Sequence, residues 1–199
     1  MLNIIFAKHG ELYNYKHVNL LYNRLYSYFP HAKFWCYTED PKGIIEPVNI
    51  IPILKRPSLR KWWNKLALFS NEMPFEGKCL FFDLDMEIVG DPSPWINNFN
   101  TLTVVNDYYK KDLYYDKHSY DVNINSSIIA WTANEQIHVW EKFLENKDYF
   151  MRKYRGIDRF MVYEGIELYT FKDGIVNSVN NDSYDNAPVN MYNGIEYNL

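Results

Sequence analysis

The chain has 199 residues, a length suited to one domain with a real core. Hydrophobic residues make up 47% and charged residues 23%, which excludes a disordered chain. The formal net charge of −4 excludes a broad cationic footprint for nucleic acid while leaving room for a local basic strip. Residues 2–7 read as a first strand, followed by a turn at His9-Gly10. Val18, Leu21, Leu25 and Phe29 recur every three or four residues, predicting an amphipathic helix that ends before Pro30. Residues 33–37 form a second strand, stopped by the turn cluster Glu39-Asp40-Pro41-Lys42-Gly43, and 48–53 a third whose proline marks an edge or strand end.

Residues 62–70 read as helical, 79–83 as a fourth strand, 102–105 as a fifth, and 123–131 as an extended apolar run. Thr132 and Glu135 have the spacing of a capping box, predicting a helix whose buried face holds Ile137, Trp140 and Leu144. Short strands are expected at 167–171 and 174–178, and an irregular tail over 180–199. The loop 106–121, with five tyrosines among charges, is long enough to suggest a functional flap. This order implies a single α/β domain with a mostly parallel twisted sheet flanked by helices. No apolar run approaches the roughly 18 residues of a membrane-spanning helix. The first residues lack the features of a signal peptide, so a cytoplasmic location is the default expectation.

Cys36 and Cys79 lie in apolar strand contexts and read as small buried hydrophobes, not as a disulfide or a zinc site. His9, His17, His31, His118 and His138 show no ligand-like spacing. Aromatic residues reach 18%, with 18 Tyr and 6 Trp, which suits walls for sugars or bases and equally suits a core.

The chemistry concentrates at "LFFDLDMEI", where an apolar strand runs into Asp83 and Asp85. If the chain stays extended, positions i and i+2 put both carboxylates on one face. Two carboxylates in a partly dry site repel unless a cation neutralises them, and oxygen donors favour Mg2+, Mn2+ or Ca2+ over zinc. The bland alternative is that the acids begin a solvated loop, since Asp is a turn former. Two enzyme classes place Asp-x-Asp after such a strand. In haloacid-dehalogenase-like phosphatases the motif usually sits in the first strand and continues Gly-Thr; here it sits in the fourth and continues Met-Glu. In nucleotide-sugar glycosyltransferases of GT-A type it falls mid-chain.

Further segments, in order, resemble a small family 8-like glycosyltransferase of that second class. "AKHGELYNYKHVNLLYNRL" is similar to the family's first strand, turn and helix, and "KWWNKLALF" to the segment before the metal strand. "LFFDLDMEIVGDPSPW" resembles the metal strand, and "NINSSIIAW" the sugar-binding strand. The resemblance implies a GT-A-like domain with a nucleotide-binding half (1–90) and a sugar and acceptor half (91–199). It implies a retaining, metal-dependent transfer from a UDP-sugar to an acceptor hydroxyl on a glycan, protein, lipid or modified nucleobase. By that resemblance Ala7, Lys8, His9 and Tyr13 lie around the uracil and ribose, and Lys65 approaches the sugar or diphosphate. Asn125 and Ser126 would bind donor-sugar hydroxyls. Asp83, Asp85 and Asn193 would hold Mn2+ or Mg2+, and Asp158 would reach the donor sugar, with Asn125 beside the reacting centre.

Trp62 and Trp63 read as helix packing. Two departures stand out: Gly156-Ile157-Asp158 replaces the family's Gly-Asp-Gln, and Asn193-Gly194 replaces its late His-Gly. These keep a second expectation alive, a degenerate sugar-nucleotide-binding protein without turnover. A phosphatase using Asp83 is the third.

Overall fold

The computed structural model describes residues 1–53, 58–96, 99, 101–106, 122–179 and 186–192. Its organising element is Leu2–Lys8 (β1), whose side chains alternate between two cores. Ile4 and Phe6 face one core with Leu80 and Phe82, and Ile5 faces the other with Phe81. The first core is closed by Tyr15–Tyr26 (α1), which buries Val18, Leu21, Tyr22 and Leu25 and is capped by Asn14, whose side chain accepts from the Lys16 amide.

Lys33–Thr38 (β2) and Lys78–Phe82 (β4) flank β1 in parallel, and Asn49–Pro52 (β3) adds to β2. Ile124–Thr132 (β7) then runs antiparallel between β4 and Thr103–Asn106 (β6), with Tyr169–Thr170 (β8) at the far edge. The order β3-β2-β1-β4-β7-β6-β8 makes a mostly parallel seven-stranded sheet. The chain departs from β1 to opposite sides, toward β2 and toward β4. The crevice beyond the carboxyl ends of β1 and β4 is therefore where an open α/β sheet binds its ligand. Buried Asn3 locks the opposite end: Nδ2 donates to the carbonyls of Glu76 (2.9 Å) and Lys78 (3.1 Å), and Oδ1 accepts from Trp35 Nε1 (3.0 Å).

The second core is covered by the segment Lys61–Phe69 and by Ile137–Glu145 (α3), Lys147–Lys153 (α4) and Ile157–Tyr163 (α5). Lys61–Phe69 is a 3-10 helix. Ser93–Ile96 (α2) is a single short turn. A second sheet joins Met86–Ile88 (β5), Val189–Met191 (β10) and Val176–Ser178 (β9), with β10 in the middle. Both cysteines are free and buried, and burial pushes each thiol up to about 12. Among the described residues no helix is long and apolar enough to cross a membrane.

Three local expectations are corrected. Thr132 does not cap a helix, because it stays in the ladder opposite Lys78; α3 starts at Ile137 and buries Val139, Trp140 and Phe143, with Leu144 exposed. Part of the tail is ordered as β10, where Val189 and Met191 point inward around Asn190. The chain also does not run extended through the acids: β4 ends at Phe82 and Leu84-Asp85 forms a turn. Asn193 and residues 107–121 of the suggested flap 106–121 lie outside the described residues, and Asn106 ends β6.

Candidate active site

Two cavities open beyond the carboxyl ends of β1 and β4, and Trp62, Lys65, Asp83 and Asp85 line both. The larger, about 550 Å³, is formed by Ala7 at the end of β1 and by the turn through His9, Gly10, Leu12 and Tyr13. The smaller, about 250 Å³, is lined by Asn125, Ser126 and Ser127 of β7, by Arg155 and Gly156, and by Asp158 of α5.

The larger cavity is shaped by local chain geometry. Gly10 takes φ +67°, a left-handed conformation that costs glycine little, and its N–H donates to the Glu39 carboxylate at 2.6 Å, tying the turn to the end of β2. Tyr13 stands edge-on to His17 at 5.2 Å between ring centroids. Burial raises the Tyr13 phenol, and the charges of Asp85 and Asp83 raise it further, so its ring shares the cleft with both acids. Burial lowers His9; Glu39 opposes this and Lys65 adds to it, favouring a neutral imidazole. The Lys8 ammonium turns away from both cavities to Asp40, 3.8 Å distant.

The smaller cavity depends on a flaw in the sheet. Along β6 the pairing jumps from Val104↔Ile129 to Val105↔Asn125, so Ser126 to Ile128 have no partner there. Such irregularities re-aim backbone groups, commonly beside active sites. The freed Ser126 amide donates to Asp158 Oδ1 at 3.1 Å, and the freed Ser126 carbonyl accepts from Lys65 Nζ at 3.1 Å. Asn125 Oδ1 accepts the Ser127 amide at 2.8 Å. Ser127 Oγ is buried without a hydrogen-bond partner among the described residues.

Lys65 and Asp83 form the hinge between the cavities. Lys65, buried on the 3-10 helix, donates to Asp83 Oδ2 at 2.6 Å and lies over the Phe81 ring at 5.2 Å. Burial pushes the Asp83 carboxyl up to about 7; Lys65 opposes this, while Asp85 and Asp158 add to it. Asp83 and Asp85 supply oxygen donors only, a set that fits Mg2+ or Mn2+. Among the described residues no group of three or more His, Cys, Asp or Glu is arranged as a cage. The Tyr192 amide, immediately before Asn193, donates to the Asp85 carbonyl at 3.0 Å.

The structure thus gathers Ala7, His9, Tyr13, Lys65, Asp83, Asp85, Asn125, Ser126 and Asp158 around one double cleft. Sequence reasoning missed Ser127, Arg155 and Trp62. Trp63 packs inside as expected, stacked on Phe143, but Trp62 is 42% exposed and lines the cleft. The signal for Trp62 was its place beside Lys61, an end-of-element position where one ring of a Trp-Trp pair must face outward.

No family model and no curated protein matches this chain. Solved structures do. Galactosyltransferase LgtC in complex with donor and acceptor sugar analogs aligns with TM-score 0.67 at 11% identity, over 96% of this chain and 86% of that chain. The glycosyltransferase GlyE of Streptococcus pneumoniae TIGR4 aligns with TM-score 0.69 at 12% identity, over 96% of this chain and 55% of GlyE. A glycosyltransferase involved in glycosylation of the major capsid of PBCV-1 aligns with TM-score 0.58 at 9% identity, over 98% and 93%. At these identities the likeness is one of fold: the chain has the GT-A glycosyltransferase fold.

Proposed function

We propose that this chain transfers a sugar from a UDP-sugar donor to an acceptor hydroxyl, with Mn2+ or Mg2+ held by Asp83 and Asp85. One observation carries the reading. Two cavities, one rimmed by Ala7, His9 and Tyr13 and one lined by Asn125, Ser126, Ser127 and Asp158, meet at a wall carrying both acids and Lys65. A divalent ion bound there would supply Lewis-acid stabilisation of the diphosphate as it leaves.

The chain's own residues do the rest. Tyr13 offers a ring face, and Ala7 and neutral His9 complete a wall for uracil and ribose. The Lys65 ammonium stands beside the place where leaving-group charge grows, so it favours the transition state over the bound donor. The Asn125 and Ser126 side chains meet donor-sugar hydroxyls. Asp158 gives one oxygen to the Ser126 amide and leaves the other for the sugar. Retention by front-face attack, with the acceptor hydroxyl approaching beside the departing phosphate, suits a pocket whose one carboxylate on the sugar side, Asp158, is engaged by the Ser126 amide. The GT-A fold lends no support to the phosphatase alternative.

The test is calorimetric titration of UDP with Mn2+ or with EDTA, on wild type, Asp83→Ala and Asp85→Ala. The expected result is metal-dependent binding, lost in both variants. Absence of UDP binding under every condition sinks the reading. UDP-sugar binding with no turnover on any acceptor or on water would instead identify a binding protein.

A further inference from the structure

Beyond the double cleft lies a third cavity of about 260 Å³, lined by Arg60, Lys61, Trp62, Trp63 and Met151. Trp62 is the only residue common to all three cavities among the described residues, so its indole is the partition between this space and the donor cleft. Its ring is held in place: Lys61 Nζ lies 5.3 Å from the ring centroid, and the Gly156 backbone sits so close that a Cβ there would meet Nε1 at 3.5 Å. A volume of this size, under the roughly 300 Å³ at which pockets for drug-sized ligands begin, suits a single ring.

The two sides differ in charge balance, acids and bases together on one and bases alone on the other. The smaller cavity of the cleft mixes three carboxylates, Asp83, Asp85 and Asp158, with two cations, Lys65 and Arg155. Among the described residues no acid lines the third cavity, where Arg60 and Lys61 are both exposed. The nearby acid Asp148, whose carboxyl feels Arg152 and Arg60, is already paired with Lys147 at 2.9 Å. The sequence shows the same bias: between Glu46 and Glu72 it has five Lys or Arg and no acid. An arginine and a tryptophan lining one cavity match a ring that stacks and bears an anion, because Arg grips a phosphate or carboxylate with a fork of donors.

We infer that the third cavity receives the acceptor and that this acceptor is an anionic sugar, its ring against Trp62 and its phosphate or carboxylate on Arg60. The inference rests on the transferase reading, because the acceptor hydroxyl must be presented across Trp62 to the donor. A nucleic-acid strand fits less well, since it needs a row of cations spanning several phosphates.

The test fills the donor cleft with saturating UDP and Mn2+. Glucose, glucuronate, glucose 6-phosphate and an eight-residue oligothymidylate are then titrated against wild type and Arg60→Gln. Arg60 does not line the donor cleft, so the UDP titration of the variant reports that it is folded. The two anionic sugars should bind at least about tenfold tighter than glucose, as expected for a charge-assisted hydrogen bond. That advantage should vanish in Arg60→Gln, with the residual affinity equal to that of glucose. Equal binding of neutral and anionic sugars, or an anionic preference that survives Arg60→Gln, overturns the inference and leaves the transferase reading standing. Tighter binding of the oligothymidylate than of either anionic sugar overturns it in favour of a nucleic-acid acceptor. Failure of UDP to bind wild type overturns the transferase reading, and the acceptor assignment falls with it.

Discussion

The two cavities that meet at Lys65 and Asp83 are built in different ways. The larger takes six of its eleven lining residues from one run of chain, Ala7 to Tyr13, where a strand, a glycine turn and a capped helix follow one another, and the rest from the wall it shares with the smaller and from Lys61. The smaller is assembled from distant pieces: Lys65, Asp83, Asn125 to Ser127 and Asp158 meet only because β4, β7, α5 and the 3-10 helix pack together. A cavity made of one run tolerates substitution one residue at a time. A cavity held by an ion pair and two backbone hydrogen bonds fails more abruptly, because each lost partner leaves a desolvated group behind.

The sharpest test of that contrast is Lys65→Met. Removing the ammonium leaves Asp83 next to Asp85 and Asp158 without its cation, and breaking such a partly buried pair costs about 3 kcal/mol. The variant should lose several degrees of melting temperature and recover part of the loss in Mn2+. Turnover of a UDP-sugar should stay about a hundredfold low, the scale of losing one transition-state charge contact. Wild-type stability and turnover in this variant would mean that the hinge between the cavities is ornamental.

Asp158→Ala should have the next largest effect, and it separates the two cavities. The Ser126 amide loses its acceptor, at about 1–2 kcal/mol for an unsatisfied buried donor. UDP affinity should remain within about twofold, because a loss confined to the transition state lowers kcat without changing nucleotide binding. UDP-sugar turnover should fall sharply. A matching loss of UDP binding would show that the cavities are not independent.

This difference also explains what was legible in the chain itself. The turn side of the larger cavity, Ala7 to Tyr13, could be read because its parts are contiguous and each has a local signature: apolar run, glycine, aromatic, helix cap. The sheet was legible for the same reason, from β1 through β4. The smaller cavity was read only in fragments. Asn125, Ser126 and Asp158 were singled out by resemblance, but the register shift on β6 that frees the Ser126 amide and carbonyl has no sequence signature. That shift is a property of two strands pairing, not of either strand alone. The turn at Leu84-Asp85 was missed for a similar reason, since Leu84, Met86 and Ile88 read as one continuous alternation. Strand β10 was lost in an Asn-rich tail because three residues carry too little pattern without their partner β5.

A smaller effect comes from the Asp83 carboxyl. Its folded-state pKa stands at about 7 against an ordinary 3.8, chiefly because burial disfavours the anion. Between these values the folded protein keeps a proton that the unfolded chain has released. The stabilising contribution is therefore full below the unfolded pKa and is lost as pH rises through 7. In EDTA, wild type should gain melting temperature relative to Asp83→Asn on going from pH 7.5 to 5.5. In Mn2+ the advantage should reverse toward the higher pH, because the ion binds only the ionised carboxylate. Parallel pH profiles for the two proteins in EDTA would show that Asp83 ionises in the folded state as it does in water.

The mildest perturbation tests the contiguous cavity. Gly10 sits at φ +67° with no heavy atom within 4 Å of where a Cβ would stand, so a side chain there meets strain without a clash. Placing an L-residue in that conformation costs about 1–2 kcal/mol, and asparagine bears it best because its short polar side chain bonds locally. Gly10→Ala should therefore weaken UDP binding more than Gly10→Asn does, by a few-fold, the turn relaxing away from Glu39. Neither should alter the response of the smaller cavity to Asp158→Ala, since nothing in that cavity is drawn from the turn. If both substitutions were neutral, the turn would not set the width of the nucleotide cavity. If they instead depressed sugar-dependent turnover beyond the loss in UDP affinity, the contrast between a locally built and an assembled cavity would fail. The coupling would then have to pass through the shared wall of Trp62, Lys65 and the two acids.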